Sequence, residues 1–211
     1  MQEAIPTSTQ VILNDMYNLA KYDGVKVAKA LAKSIITKVT PADVGTAYLS
    51  ISQEQGEYLY HLICERNFKN IVEFGTSFGI STLYLAEGVQ QTGGSVTTTE
   101  IIPEKCRQAR NTFKKAGLEN YISLWEGDAL ETLKQVNQPI DLLLLDGWKN
   151  LYLPVFRLLQ PLFHKNTMIF VDNTNMKGVK TFLKEVEKET EKYKFEKLDF
   201  DKGNTVLITV K

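Results

Sequence analysis

From residue 70 onward, short runs rich in β-branched and aromatic residues alternate with stretches whose apolar positions recur at helical spacing. The predicted strands are residues 71–74, 95–99, 121–125, 141–145 and 168–171, with helices at 80–87, 103–116, 129–136 and 151–162 between them. Strands separated by single helices imply parallel βαβ units whose right-handed crossovers cover both faces of one sheet. One more helix fits 179–189, followed by strands at 194–200 and 205–210. The turn-forming Asp201-Lys202-Gly203-Asn204 joins these last two into a hairpin, so the final pairing is antiparallel.

Ahead of residue 70 the pattern is helical only. Val11, Ile12, Met16, Leu19 and Ala20 mark a helix over 11–32. Val25, Val27, Leu31, Ile35 and Ile36 mark a second, and 53–66 a third. The linker 40–44 between them holds Pro41, which discourages helix before it. These leading helices fit a cap over the sheet and its site, with a homodimer surface as the alternative use of their apolar faces.

Composition narrows the picture mostly by exclusion. Lys plus Arg equals Asp plus Glu at 25 each, so no basic field draws the chain to nucleic acid or an anionic membrane. No stretch approaches the roughly 20 apolar residues of a membrane span. The first ten residues are polar, without the apolar core of a signal peptide. Cys64 and Cys106 form no CxxC pair, which fits a reducing cytoplasm. Neither His61 nor His164 belongs to a zinc motif.

The chemistry gathers at strand ends. The first strand runs into Glu73-Phe74-Gly75-Thr76-Ser77-Phe78-Gly79. Glycines at a strand-to-helix turn let backbone approach a ligand, but Gly75 and Gly79 do not make the GxGxxG of a pyrophosphate loop. Glu73 there repels a pyrophosphate and suits a cationic ammonium. Glu100, ending the second strand, is placed to accept bonds from ribose hydroxyls, and Gly127-Asp128, after the third, lies near an adenine position.

The fourth strand ends in Asp146-Gly147-Trp148-Lys149 and the fifth in Asp172-Asn173. If those strands are neighbours, Asp146, Asp172 and Asn173 surround one point as hard oxygen ligands suited to Mg²⁺ or another divalent cation. Such a cation would acidify an acceptor hydroxyl, and Lys149 is the candidate base that takes its proton. Trp148 is a candidate substrate wall. Each residue alone has a plainer use: Asp as a helix N-cap, Trp as packing, Lys as a solvated side chain.

Taken together, these residues resemble the catechol O-methyltransferase-like family of class I S-adenosylmethionine-dependent O-methyltransferases. The likeness runs from about residue 49 to the C-terminus and is strongest in Asp146-Gly147-Trp148-Lys149-Asn150-Leu151-Tyr152-Leu153-Pro154 and Val171-Asp172-Asn173. It implies an α/β three-layer Rossmann-like sandwich with a seven-stranded, mostly parallel sheet and a reversed C-terminal strand. It implies one domain over 1–211, with helices of 1–68 capping the site and 69–211 as the cofactor-binding core. It places metal ligands on Asp146, Asp172 and Asn173 and the base on Lys149. Cofactor contacts fall on Glu73, Gly75, Ser77, Gly79, on Ser81 at the carboxylate end, on Glu100, on Ile101 beside adenine, and on Asp128, Ala129 and Asp146. The segment 49–52, with Ile51, resembles the family's cofactor-covering stretch. Three departures stand out, one of them Gly127-Asp128-Ala129, which differs from the adenine-side loop of the animal catechol enzymes. Gly147 replaces the histidine of the animal catechol enzymes, which opens that wall, and Asn204 falls where their late carboxylate meets the substrate.

The resulting expectation is a metal-assisted O-methyltransferase acting on a small catechol-like or other phenolic molecule. Its rivals are a metal-independent methyltransferase, a non-catalytic S-adenosylmethionine-binding module, and a nicotinamide-dependent dehydrogenase.

Overall fold

The computed structural model describes residues 4–34, 51–200 and 204–211, with only the backbone of 21–34. The second leading helix beyond residue 34, the Pro41 linker, Leu49, Ser50 and the turn residues 201–203 lie outside the described residues. In chain order the elements are α1 (Thr7–Ser34), α2 (Gln53–Arg66), β1 (Asn70–Phe74), α3 (Ile80–Thr92), β2 (Ser95–Glu100), α4 (Pro103–Ala116), β3 (Ile122–Glu126) and α5 (Ala129–Thr132). They continue with β4 (Ile140–Leu145), α6 (Tyr152–Leu159), β5 (Phe163–Val171), α7 (Lys177–Val186), β6 (Tyr193–Leu198) and β7 (Thr205–Val210).

The seven strands form one sheet in the order β3-β2-β1-β4-β5-β7-β6. Strands β1 to β5 pair in parallel, and β7 runs antiparallel to both β5 and β6. This is the expected parallel sheet closed by a reversed last strand.

The central strand β4 shows why such sheets read as continuous apolar runs. Leu142 and Leu144 face one core and Leu143 and Leu145 the other, the period-two alternation of a strand covered on both sides. The first core joins these leucines to α1, α2, α3 and α4 through Leu13, Leu59, Ile63, Leu83 and Phe113. The second joins them to α6 and α7 through Tyr152, Phe156, Val179 and Phe182. Helix α1 is tied to α3 by a buried hydrogen bond from Thr9 Oγ1 to Glu87 Oε1.

Several boundaries differ from expectation. Two helices were expected across residues 11–36, yet the described backbone from Thr7 to Ser34 is one helix. It contains no proline, and Gly24 inside it costs only about 1 kcal/mol relative to alanine. The helix expected at 129–136 is a four-residue turn that tightens to 3₁₀ over Leu133–Gln135. That expected at 151–162 is α only from Tyr152, with 3₁₀ turns on both sides and Pro161 in the second.

Candidate active site

Strand register builds the site. Phe74 lies beside Thr99 on one side and Leu145 on the other, and Leu145 lies beside Val171. The next residues, Gly75, Glu100, Asp146 and Asp172, therefore line one row at the C-terminal ends of four adjacent strands, where ligands of such sheets bind. Backbone bonds from Asp146 N to Phe74 O (3.0 Å) and Asp172 N to Leu145 O (3.2 Å) extend the ladder into the loops.

The β1–α3 loop is held close to the β4 end. Gly75 has φ 109°, and a Cβ there would lie 2.7 Å from the Gly147 backbone. A Cβ on Gly147 would in turn meet the Phe74 ring at 2.6 Å, so the wall expected to stand open at Gly147 is filled by Phe74. Gly79, φ 93°, caps α3 without a side-chain bond, and the first-turn residues Ile80, Ser81 and Thr82 are buried.

Glu73 is fully buried and accepts from the hydroxyls of Ser81, Thr82 (2.5 Å) and Thr98 (2.6 Å). Burial outweighs these bonds and pushes its carboxyl up to about 7. Ser81, itself buried, thus spends its hydroxyl hydrogen on Glu73. Glu100 fastens the adjoining loop. Its Oε2 accepts from Ser77 N at 2.9 Å, while Oε1 accepts from Ile101 N and Ile102 N at 2.9 and 3.0 Å. Ser77 is left-handed at φ 49°. Beside Glu100, Ile101 exposes 43% of its surface. Asp128 caps α5, accepting from Leu130 N at 2.8 Å, and Ala129 is buried in the second core. Ile51 is buried in the first core, one residue before Ser52 caps α2.

At the other end of the row, Lys149 Nζ stands 3.0 Å from both Asp146 Oδ1 and Tyr152 Oη. Burial, opposed by Lys149 and reinforced by Asp172, pushes the Asp146 carboxyl up to about 6. The Tyr152 hydroxyl, buried near both acids, titrates well above the ordinary tyrosine range. Asp172 accepts from Gln55 Nε2 (2.8 Å) and Thr205 Oγ1 (3.3 Å) at Oδ1, and from Asn173 Nδ2 (2.7 Å) at Oδ2. Asn173 is left-handed at φ 59°. The half-buried Trp148 packs on the second core, and Asn204 O accepts from Thr174 N at 2.9 Å, drawing the β5 and β7 loops together.

Sequence reading did not single out Gln55, Tyr152, Thr205, Thr98 or Lys105. Ser52 and Gln55 do form the S/T-x-x-E/Q signature of a capping box, a local clue to Gln55. Tyr152 falls within the Asp146–Pro154 stretch, but its contact with Lys149 is not marked there, and Thr205, Thr98 and Lys105 carry no local signal. A separate cleft of about 150 Å³, lined by Asn70, Ser95, Gln135 and Ile140 among others, opens near the opposite ends of the strands, away from these groups.

The chain is 31% identical over 132 residues to the O-methyltransferase ankF of Aspergillus thermomutatus, covering 61% of this chain and 55% of that one. It is 30% identical over 141 residues to a catechol O-methyltransferase of Niastella koreensis, covering 65% and 63%. The matched stretch thus spans under two thirds of these curated relatives. An O-methyltransferase from Bacillus cereus, crystallised in complex with SAH, shares the fold with a TM-score of 0.72 at 23% identity, over 94% of this chain and 100% of that one. The profile of the O-methyltransferase family matches residues 26–207, and the chain belongs to that family.

Proposed function

We propose that the chain transfers a methyl group from S-adenosylmethionine to a hydroxyl oxygen of a small catechol-like or other phenolic molecule, with help from a divalent cation. The observation that carries this reading is the row of Glu100, Gly75, Asp146 and Asp172, with Lys149 at its acidic end.

The glycine loop and the N-terminus of α3 suit the cofactor's amino-acid end, and the Glu100 side suits its nucleoside. S-adenosylmethionine supplies an electrophilic methyl carried on a sulfonium. Two neighbouring carboxylates, of which Asp146 is pushed up in pKa partly by Asp172, form a pair that a cation relieves, and an amide lies beside them. Asp146, Asp172 and Asn173 therefore fit a divalent cation, which would lower the pKa of an acceptor hydroxyl. Lys149 is placed to take the acceptor's proton at Nζ. The resulting ammonium is held by Asp146 Oδ1 and Tyr152 Oη. Trp148 and Asn204 border the acceptor side.

A metal-independent transferase is the second reading. It is favoured by the three hydrogen bonds that Asp172 already accepts from Gln55, Thr205 and Asn173. Release of S-adenosylhomocysteine from a panel of catechols and monophenols tests the proposal. Turnover of at least one phenol is expected, and cofactor binding with no transfer across the panel would leave a non-catalytic module.

A further inference from the structure

Lys105 is buried to 3% exposure, and among the described residues no other lysine or arginine is buried. It lies in the first turn of α4, where the helix dipole disfavours a cation. Its ammonium has three protons to donate. Among the described residues it makes one hydrogen bond, to Ser77 Oγ at 3.3 Å, and no ion pair within 4.0 Å. Its Nζ stands 5.3 Å from the centroid of the Phe78 ring. Burial lowers its pKa, and the fields of Glu100 and Asp146 oppose that shift. Lys105 thus carries its amine to Ser77 of the glycine loop, within the fields of Glu100 and Asp146 at the ends of β2 and β4, at a cost in both desolvation and dipole.

Methyl transfer changes the charge in this cleft. The C–S bond breaks, its electron pair stays on sulfur, and a bond forms between the methyl carbon and the acceptor oxygen. The cationic sulfonium becomes a neutral thioether, while the acceptor's proton leaves separately. A fixed positive charge nearby disfavours the sulfonium more than the partly neutralised transition state, and more than the product.

We propose that Lys105 is an electrostatic specificity residue of the cofactor cleft, setting the relative affinity for the cationic methyl donor and its neutral thioether product. This rests on the reading that the cleft takes S-adenosylmethionine. Binding energy withheld from the donor lowers the barrier to transfer, and the same charge makes the protein sensitive to its product.

Calorimetric titration of S-adenosylmethionine and S-adenosylhomocysteine into parent, Lys105→Met, Lys105→Gln and Lys105→Arg proteins tests it. The ratio of donor Kd to product Kd should fall roughly three- to tenfold in the Met and Gln variants, the scale of one charge acting through a partly solvated cleft. Arginine, which keeps the charge, should preserve the ratio. Methionine retains the unbranched stem beside Phe78, and glutamine serves if the Met protein does not fold. An unchanged ratio in the charge-removing variants, or equal weakening of both ligands, would overturn the role of Lys105 alone. A parent that binds neither nucleoside would instead overturn the cofactor reading and this proposal with it.

Discussion

Gln55 Nε2 lies 2.8 Å from Asp172 Oδ1, joining positions 117 residues apart. The same amide donates to Thr205 Oγ1 at 2.8 Å, and Gln55 Oε1 accepts from Ser52 N at 2.7 Å. One buried side chain thus closes the N-terminal cap of α2 and fixes an acid at the end of β5. Groups behind proposed metal ligands orient them. Gln55→Leu should cost about 1–3 kcal/mol of stability, because Asp172 and Ser52 lose partners in a buried setting. Half-saturation for Mg²⁺ should rise about 10–100-fold. Denaturant melts and Mg²⁺ titration of activity check this; an unchanged metal requirement would leave Gln55 a purely structural cap.

Lys149 has three oxygen partners already in place, Asp146 O, Asp146 Oδ1 and Tyr152 Oη, so its removal should act on the chemical step. Lys149→Ala is expected to lower kcat by about 10²–10⁴, while the calorimetric affinity for S-adenosylmethionine stays near that of the parent. Equal kcat in mutant and parent would remove Lys149 as the base.

Glu73 makes stability depend on pH in the direction opposite to an ordinary ion-paired carboxylate. Its folded-state pKa, about 7, exceeds the ordinary 4.5, so between these values the folded protein binds more protons than the unfolded. Stability therefore falls as pH rises through that window, by roughly 3 kcal/mol in full. Glu73→Gln removes this titration. Chemical denaturation at pH 4.5 and 8 should show the parent losing stability relative to the variant; parallel pH dependences would contradict the assignment.

The close approach of the β1 and β4 loops predicts that Gly147→Ala is destabilising despite its small size. The added methyl would meet the Phe74 ring at 2.6 Å, and overpacking of this kind costs about 1–3 kcal/mol. Phe74→Leu combined with Gly147→Ala should recover part of that loss, since leucine yields space. A Gly147→Ala protein as stable as the parent would show that Phe74 can turn aside.

Much of the fold was legible because its signals are local. Residues 142–145 read as a doubly covered strand, and the Asp201–Asn204 stretch announced a hairpin that β6 and β7 form. Acids at successive strand ends also marked the site row, since parallel strands bring their ends together. What stayed hidden depends on distant neighbours. Gln55 and Asp172 meet only through the fold, and Glu73 finds Thr98 across the sheet. Lys105 carries no sequence signal of its own, and only the packing of α4 brings it to Ser77 of the glycine loop. Gly147 suggested open space, because a sequence does not say that Phe74 fills it.

The central claim is that divalent-cation-assisted methyl transfer to oxygen occurs at the Asp146–Asp172 end of the row. Its most direct test is turnover of a reactive phenol with Mg²⁺ and after EDTA, alongside calorimetric titration of S-adenosylmethionine under both conditions. The expected result is loss of turnover in EDTA, recovery on adding Mg²⁺, and cofactor affinity largely unchanged. Full turnover in the presence of EDTA would contradict the account.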